Sequence, residues 1–113
     1  KKEMMNLLKK LTSKKNSDLT AIAQRGAVII DVRNPDEYLA GNVRGTVNIP
    51  LGNIPSKIEK IKSYQKPVIT CCVSGTRSGL AAAMLKAKGI EVYNGGRWEN
   101  MEALVEARMK KKL

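Results

Sequence analysis

The sequence of 113 residues contains no histidine and no phenylalanine, one tryptophan and two cysteines. The absence of histidine excludes a Ser–His or Cys–His catalytic couple. Two thiols and scattered carboxylates are the only remaining strong metal ligands, so we expect neither a metal site nor a cofactor. Without phenylalanine, the core has to be built from Ile, Val, Leu, Met and Ala.

The two cysteines, Cys71 and Cys72, are adjacent in the chain and therefore do not form the framework of a disulfide-rich fold. A disulfide between neighbours would strain the peptide that joins them, so we expect two free thiols, in a reducing compartment or at a reactive site. No stretch approaches the roughly 20 apolar residues of a membrane span, and the N-terminus lacks the apolar core of a signal peptide. We predict a cytoplasmic protein. A processed or truncated start before Lys1 would make a periplasmic or membrane-peripheral location the alternative.

Positive charge is in excess, with 21 Lys and Arg against 10 Asp and Glu and a net charge of +11. Apolar residues recur at helical spacing among the first lysines and predict a short basic amphipathic helix: Met4, Leu7, Leu8 and Leu11. Packing of this helix on the domain is one interpretation, and weak contact of residues 4–11 with an anionic membrane surface is the other. Because no aromatic residues alternate with the basic runs, we expect no nucleic-acid partner.

Apolar β-branched runs alternate with helical patterns after the basic start. We therefore divide the chain into an N-terminal helical extension, residues 1–15, and one domain, residues 16–113. Strands are predicted over 27–32, 46–49, 67–71 and 90–93, and Asn94–Gly96 has the composition of a tight turn. Strands separated by helices form βαβ units, which predicts an α/β domain with a parallel sheet.

Polar residues follow three of the predicted strands, at the carboxyl ends where open parallel sheets bind ligands. These strand ends are Asp31–Arg33, Cys71–Cys72 and Tyr93–Gly96. After the cysteines, Ser74 and Gly75 allow successive backbone N–H groups to turn inward, and the following helix adds its positive end. Such a site lowers the pKa of a thiol and receives an anion without a general base, in keeping with the absence of histidine.

The alternation of side chains along a strand distinguishes the two cysteines. If Cys72 points to the pocket at the loop entrance, Cys71 points into a packed face. Counted from Cys72, the loop that ends at Arg77 has six residues. Counted from Cys71 it has the seven of protein tyrosine phosphatases, but Thr70 and Ser74 replace the His and Gly typical of that loop. We therefore predict that Cys72 is the nucleophile.

Four segments resemble motifs of the single-domain rhodaneses, a family of sulfurtransferases. Cys72–Ser78 resembles their active-site loop, and Val28–Tyr38 resembles their strand followed by Asp-Val-Arg. Asn42–Pro50 is similar to the segment that ends in Asn-Ile-Pro, and Gly89–Trp98 to the closing segment with Gly-Gly and Trp. The four motifs occur in the family's order.

The resemblance implies a three-layer α/β/α fold around a parallel sheet of about four to five strands. It also implies a persulfide relay, in which Cys72 takes sulfur from a small sulfur-containing anion such as thiosulfate, or from a persulfide, and passes it to a thiol or cyanide. The loop residues expected to bind the substrate anion are Val73, Ser74, Gly75, Thr76 and Arg77. Asp31, Arg33 and Ser78 would support the site, and we expect Arg33 to pair with an acid such as Glu37.

Two other functions remain open. The first is a non-catalytic rhodanese-like binding or regulatory module, which would have no need of the intact Cys72 and Arg77. The second is a phosphatase or arsenate reductase. Loading of sulfur on Cys72 and hydrolysis of a phosphate monoester are the two measurements that separate these functions from a sulfurtransferase.

Overall fold

The computed structural model of the protein describes residues 16–110 and shows the predicted alternation of strands and helices. In chain order the elements are α1 (Asn16–Gln24), β1 (Val28–Asp31), α2 (Pro35–Ala40), β2 (Val47–Asn48), α3 (Ile58–Ser63), β3 (Val68–Cys72), α4 (Thr76–Ala87), β4 (Val92–Arg97) and α5 (Met101–Lys110). Short 3₁₀ turns cover Leu51–Asn53, Pro55–Lys57 and Trp98–Asn100. The predicted fold class is confirmed.

The four strands form one parallel sheet in the order β2-β1-β3-β4. The central strands β1 and β3 are the most apolar and β-branched, as expected for strands covered on both faces. In their register, Asp31 pairs with Cys71. The carboxyl ends of these two strands therefore lie side by side, and the segments that follow them meet at one edge of the sheet.

Two clusters of buried apolar side chains cover the two faces of the sheet and make the fold three-layered. One face packs against α1 and α5 through Leu19, Ile22, Ala23, Ile29, Ile69, Cys71, Met101, Leu104, Val105 and Ala107. The other face packs against α3 and α4 through Ile30, Val32, Ile54, Ile58, Ile61, Val68, Cys72, Ala81, Leu85 and Ile90. The Ile, Val, Leu, Met and Ala of the sequence thus form the core.

The predicted tight turn at Asn94–Gly96 is wrong, because these residues belong to β4, which continues to Arg97. The pairing of β3 with β4 shifts register between Thr70 and Cys72, as at a β-bulge. A Cβ on Gly95 would lie 2.7 Å from Ile69 Cγ2 and 2.9 Å from the Thr70 carbonyl oxygen. Glycine is needed here because β4 approaches β3 too closely for any side chain.

Over residues 16–110, no helix is long and apolar enough to cross a membrane. The predicted basic helix of residues 4–11 lies outside the described residues, so its weak membrane contact stays a prediction, as does the cytoplasmic location.

Candidate active site

Strand β3 directs its two thiols to opposite faces of the sheet. Cys71 packs in the cluster shared with α1 and α5, as predicted, and Cys72 lies in the cluster shared with α3 and α4. Both thiols are free and fully buried. The prediction that Cys72 opens onto a pocket is therefore wrong in one respect, because the loop after β3 folds back over its sulfur.

The loop covers the sulfur of Cys72 with hydrogen-bond donors. The backbone N–H of Gly75 lies 3.1 Å from Sγ and that of Ser78 lies 3.4 Å from it, while the Ser78 hydroxyl is 3.3 Å away. Gly75 precedes α4 with a φ of +96°, a left-handed conformation that glycine adopts readily. The sulfur therefore faces two N–H groups at the positive end of α4, an arrangement that stabilises an anion.

These donors change the acidity of Cys72. Burial raises the pKa of its thiol, but hydrogen bonds from the side chain and backbone of Ser78 and from the backbone of Gly75 and Ser74 lower it by more. The pKa of Cys72 consequently lies below the ordinary value for cysteine. For Cys71 the shift is opposite, because burial and the Asp31 carboxylate both raise the pKa of its thiol.

Arg77, in the first turn of α4, forms a two-pronged ion pair with Glu37 of α2, with N–O distances of 2.7 and 3.1 Å. The Arg77 hydrogen bond and the Asn34 N–H are the main causes that lower the pKa of Glu37 to about 2. Asn34 and Glu37 also form a capping box at the start of α2. Arg77 thus links the end of the cysteine loop to α2, and a carboxylate neutralises its charge.

Arg33 pairs with an acid, as predicted, but the acid is Asp31 and not Glu37. Arg33 pairs with Asp31, with Nη2 2.8 Å from Oδ2 and Nε 3.0 Å from Oδ1, and both side chains are buried. The carboxylate of Glu37 is occupied by Arg77, and Arg33 donates instead to the carbonyl oxygens of Glu37 at 3.2 Å and Gly41 at 2.8 Å. The Trp98 ring centroid lies 4.2 Å from the guanidinium carbon of Arg33. This buried pair fixes the segment after β1 beside the cysteine loop.

The remaining loop side chains face outward. Val73 is 47% exposed, and Ser74 and Thr76 are exposed and bonded to each other through their hydroxyls at 3.2 Å. The loop therefore turns backbone donors toward the sulfur and neutral side chains toward solvent. Within residues 16–110, no group of three Cys, Asp or Glu side chains is placed to hold a metal ion.

Asn94 was not among the predicted site residues, although its strand end was. Its Oδ1 accepts hydrogen bonds from the Ser78 hydroxyl at 2.7 Å and the Gly96 N–H at 3.0 Å, and its Nδ2 donates to the Gly75 carbonyl at 2.9 Å. Thr70 supports the same turn by donating to the Ser78 carbonyl at 2.8 Å. A polar residue before a Gly-Gly pair at a strand end is the signal that could have found Asn94.

Comparison with known proteins identifies the family. The model of the rhodanese-like domain matches residues 8–100, which is most of the chain. The chain belongs to the rhodanese-like domain family. The resemblance seen in the four sequence motifs is thereby confirmed. The matched residues include Cys72 and the loop that follows it.

Three similar proteins are described by their sequence identity to this rhodanese-like chain and by the share of each chain that the match covers. The uncharacterized protein YqhL of Bacillus subtilis is 41% identical over 62% of this chain and 56% of its own length. The thiosulfate sulfurtransferase GlpE of Pseudomonas fluorescens is 35% identical over 66% of this chain and 68% of its own length. A solved structure described as a rhodanese with anions, from E. coli, is 32% identical with a TM-score of 0.59, covering 66% of this chain and 89% of that one. The chain thus spans little more than half the length of YqhL.

Proposed function

We propose that the protein is a sulfurtransferase that carries sulfane sulfur as a persulfide on Cys72. The observation that carries this proposal is the sulfur of Cys72, which meets the N–H groups of Gly75 and Ser78 at the start of α4. Membership of the rhodanese-like family and the sulfurtransferase names of similar proteins support it.

The first half-reaction transfers one sulfur atom to the protein. The Cys72 thiolate attacks the outer sulfur of the donor, an S–S bond forms at Cys72, and the donor's own bond to that sulfur breaks. Thiosulfate would leave as sulfite, and a persulfide donor would leave as its thiolate. The new terminal sulfur carries a negative charge, which the N–H donors of the loop over residues 73–77 and the positive end of α4 stabilise.

The second half-reaction returns the protein to its starting state. An acceptor thiolate or cyanide attacks the terminal sulfur, and the electron pair of the S–S bond returns to Cys72 as its thiolate. The acceptor becomes a persulfide or thiocyanate. Because the departing Cys72 sulfur is stabilised as an anion, the same donors that activate the nucleophile also make it a good leaving group.

The supporting residues act through the position of the loop. Arg77 is bonded to Glu37, so we infer that it anchors the start of α4, while the Asp31–Arg33 pair anchors the neighbouring segment. Because Cys72 is fully buried, donor and acceptor reach its sulfur when the loop that covers it moves. The loop is accordingly both the anion site and the cover of the sulfur.

Mass spectrometry of the reduced protein tests this function. After incubation with thiosulfate, 3-mercaptopyruvate or a small persulfide, we expect the mass of one sulfur atom on Cys72, which cyanide then removes as thiocyanate. Cys72→Ser should abolish the gain in mass. Cys71→Ser, the same change one residue away, should retain it. A folded protein that gains no sulfur from any of these donors, or gains it on Cys71, would contradict the proposal.

A further inference from the structure

The Asn94 amide has an orientation that two backbone groups determine. Its Nδ2 faces a carbonyl oxygen, that of Gly75, and needs to be a donor there; its Oδ1 faces the N–H of Gly96 and needs to be an acceptor. If the amide were reversed, Oδ1 would face the Gly75 carbonyl oxygen and Nδ2 would face the Gly96 N–H, so that neither contact would be a hydrogen bond. The third contact, between Oδ1 and Ser78 at 2.7 Å, consequently requires the Ser78 hydroxyl to be the donor.

The Ser78 hydroxyl has one proton and two neighbours that compete for it. While it donates to Asn94, its oxygen can only accept at the second contact, 3.3 Å from Cys72 Sγ. This arrangement fits a protonated thiol whose S–H points at Ser78. An anionic sulfur has no proton to give, and the hydroxyl gains more by turning its own proton to the sulfur, because hydrogen bonds to charged acceptors are the stronger ones.

We propose that Asn94 is a positioning residue for Cys72, which holds the proton of the Ser78 hydroxyl while the sulfur is a thiol and yields it when the sulfur becomes an anion. The thiol proton leaves to a solvent base, and the hydroxyl proton stays on Ser78 and changes only its acceptor. Asn94 keeps the Gly96 N–H as a partner throughout. The inference rests on the proposed function only in that Cys72 is the reactive thiol.

The surroundings of Asn94 are shaped to admit its amide. A Cβ on Gly79 would lie 3.2 Å from Nδ2, and a Cβ on Gly75 would lie 3.9 Å from the same atom. The contact at Gly79 is tighter than most, so a side chain there would press on the amide. Ser78 itself is fully buried, and the Thr70 hydroxyl holds its carbonyl, so the hydroxyl group has few other directions to take.

A double-mutant cycle between Ser78 and Asn94, read as the pKa of Cys72, tests the proposal. The pKa is obtained from the pH dependence of iodoacetamide alkylation in a Cys71→Ala background, where Cys72 is the sole thiol. Ser78→Ala should raise the pKa by about one unit, the value of one lost hydrogen bond to a thiolate. Asn94→Ala should change the pKa of Cys72 differently in the two backgrounds. The pKa change with Ser78 present should be more negative, by about half a unit or more, than the change in the Ser78→Ala background.

The reason for this coupling is that loss of Asn94 frees the hydroxyl proton for the sulfur only if Ser78 is there. Loosening of the loop at Gly75 would affect both backgrounds alike and cancels in the cycle. Additive shifts would overturn the proposal, even if thermal unfolding shows that Asn94→Ala destabilises the fold. Alkylation is independent of sulfur transfer, so the cycle can hold while sulfur loading fails, and the two outcomes are separable.

A conservative variant offers a second, independent measurement. Asn94→Asp keeps the acceptor for Ser78 and Gly96 but turns a carboxylate oxygen toward the Gly75 carbonyl, so we expect the Cys72 pKa to rise. Asn42→Asp is the matched control, since the exposed Asn42 amide also donates to a backbone carbonyl, that of Tyr38, at 2.8 Å. The control should leave the pKa unchanged. An equal shift in both variants would contradict a specific role for Asn94.

Discussion

Cys71 and Cys72 are neighbours on one strand and equally buried, yet the sulfur of Cys71 lies among apolar side chains and that of Cys72 faces hydrogen-bond donors. On the Cys71 side lie apolar side chains from α1 and α5, and burial together with the Asp31 carboxylate disfavours a thiolate. On the Cys72 side lie the N–H groups of Gly75 and Ser78. Burial alone therefore does not determine the reactivity of a thiol. The polarity of the groups that face the sulfur determines it.

The largest expected effect is the difference in alkylation rate between the two thiols. In the folded protein at pH 7, we expect iodoacetamide to modify Cys72 on the order of a thousandfold faster than Cys71. Movement of the covering loop exposes Cys72, whereas Cys71 in the core reacts only from the unfolded state, which holds about one molecule in a thousand or fewer. Tandem mass spectrometry assigns the label to one cysteine.

The lowered pKa of Cys72 should shift the pH profile of its alkylation toward lower pH. Because the pKa of Cys72 is lowered, its rate should level off at a lower pH than that of an ordinary cysteine and should fall as the pH drops through the lowered pKa. Equal labelling of the two cysteines in the folded protein would contradict the expected difference in reactivity between Cys71 and Cys72.

The next effect concerns stability on the Cys71 side, where Asp31 and Arg33 form a buried pair. Asp31→Ala leaves the Arg33 guanidinium buried without its carboxylate, so we expect a loss of about 3–5 kcal/mol in the free energy of unfolding. Urea denaturation measures it. Glu37→Ala, at the more exposed pair on the Cys72 side, is the matched variant and should cost clearly less. Similar losses in both variants would show that the two pairs are equivalent.

The smallest effect is an acid dependence of stability from Glu37. Its pKa is lowered to about 2 in the folded protein, so its pairing with Arg77 adds stability above the unfolded pKa of about 4.3. That contribution is lost as the pH falls from about 4 to about 2. Thermal unfolding of the wild type and Glu37→Gln should therefore converge across this range, and a constant difference down to pH 2 would contradict the assignment.

Strands β1 and β3 could be predicted from sequence because a continuous β-branched run has few alternatives to a buried strand. Strand β4 was cut short in the prediction, since Gly95 and Gly96 have the composition of a turn. The structure shows that Gly95 is required by the close approach of Ile69 and Thr70 across the sheet. A contact between strands is invisible in the local sequence, so the same residues predict a turn and form a bulge.

In the candidate site, too, the features set by local sequence could be predicted, and those set by contacts between distant segments could not. The loop after Cys72 was predictable because strand alternation and the spacing to Arg77 are local properties. The partners of the arginines were not, since Asp31 and Glu37 are both close to Arg33 in sequence and only the packing of α2 near α4 decides which acid each arginine meets. Asn94 reaches the site because it pairs with Thr70 across the sheet, beside the end of β3, and the local sequence does not reveal this pairing.

The opposite directions of the two thiols have a consequence for oxidation. A peroxide that converts Cys72 to a sulfenic acid would leave a group that a nearby thiol normally condenses with. Cys71 cannot be that resolving thiol while β3 is intact, because its side chain lies on the other face of the sheet. Reduction of an oxidised Cys72 therefore depends on a thiol from outside the described domain, so the redox state of its surroundings governs how much of Cys72 stays a free thiol.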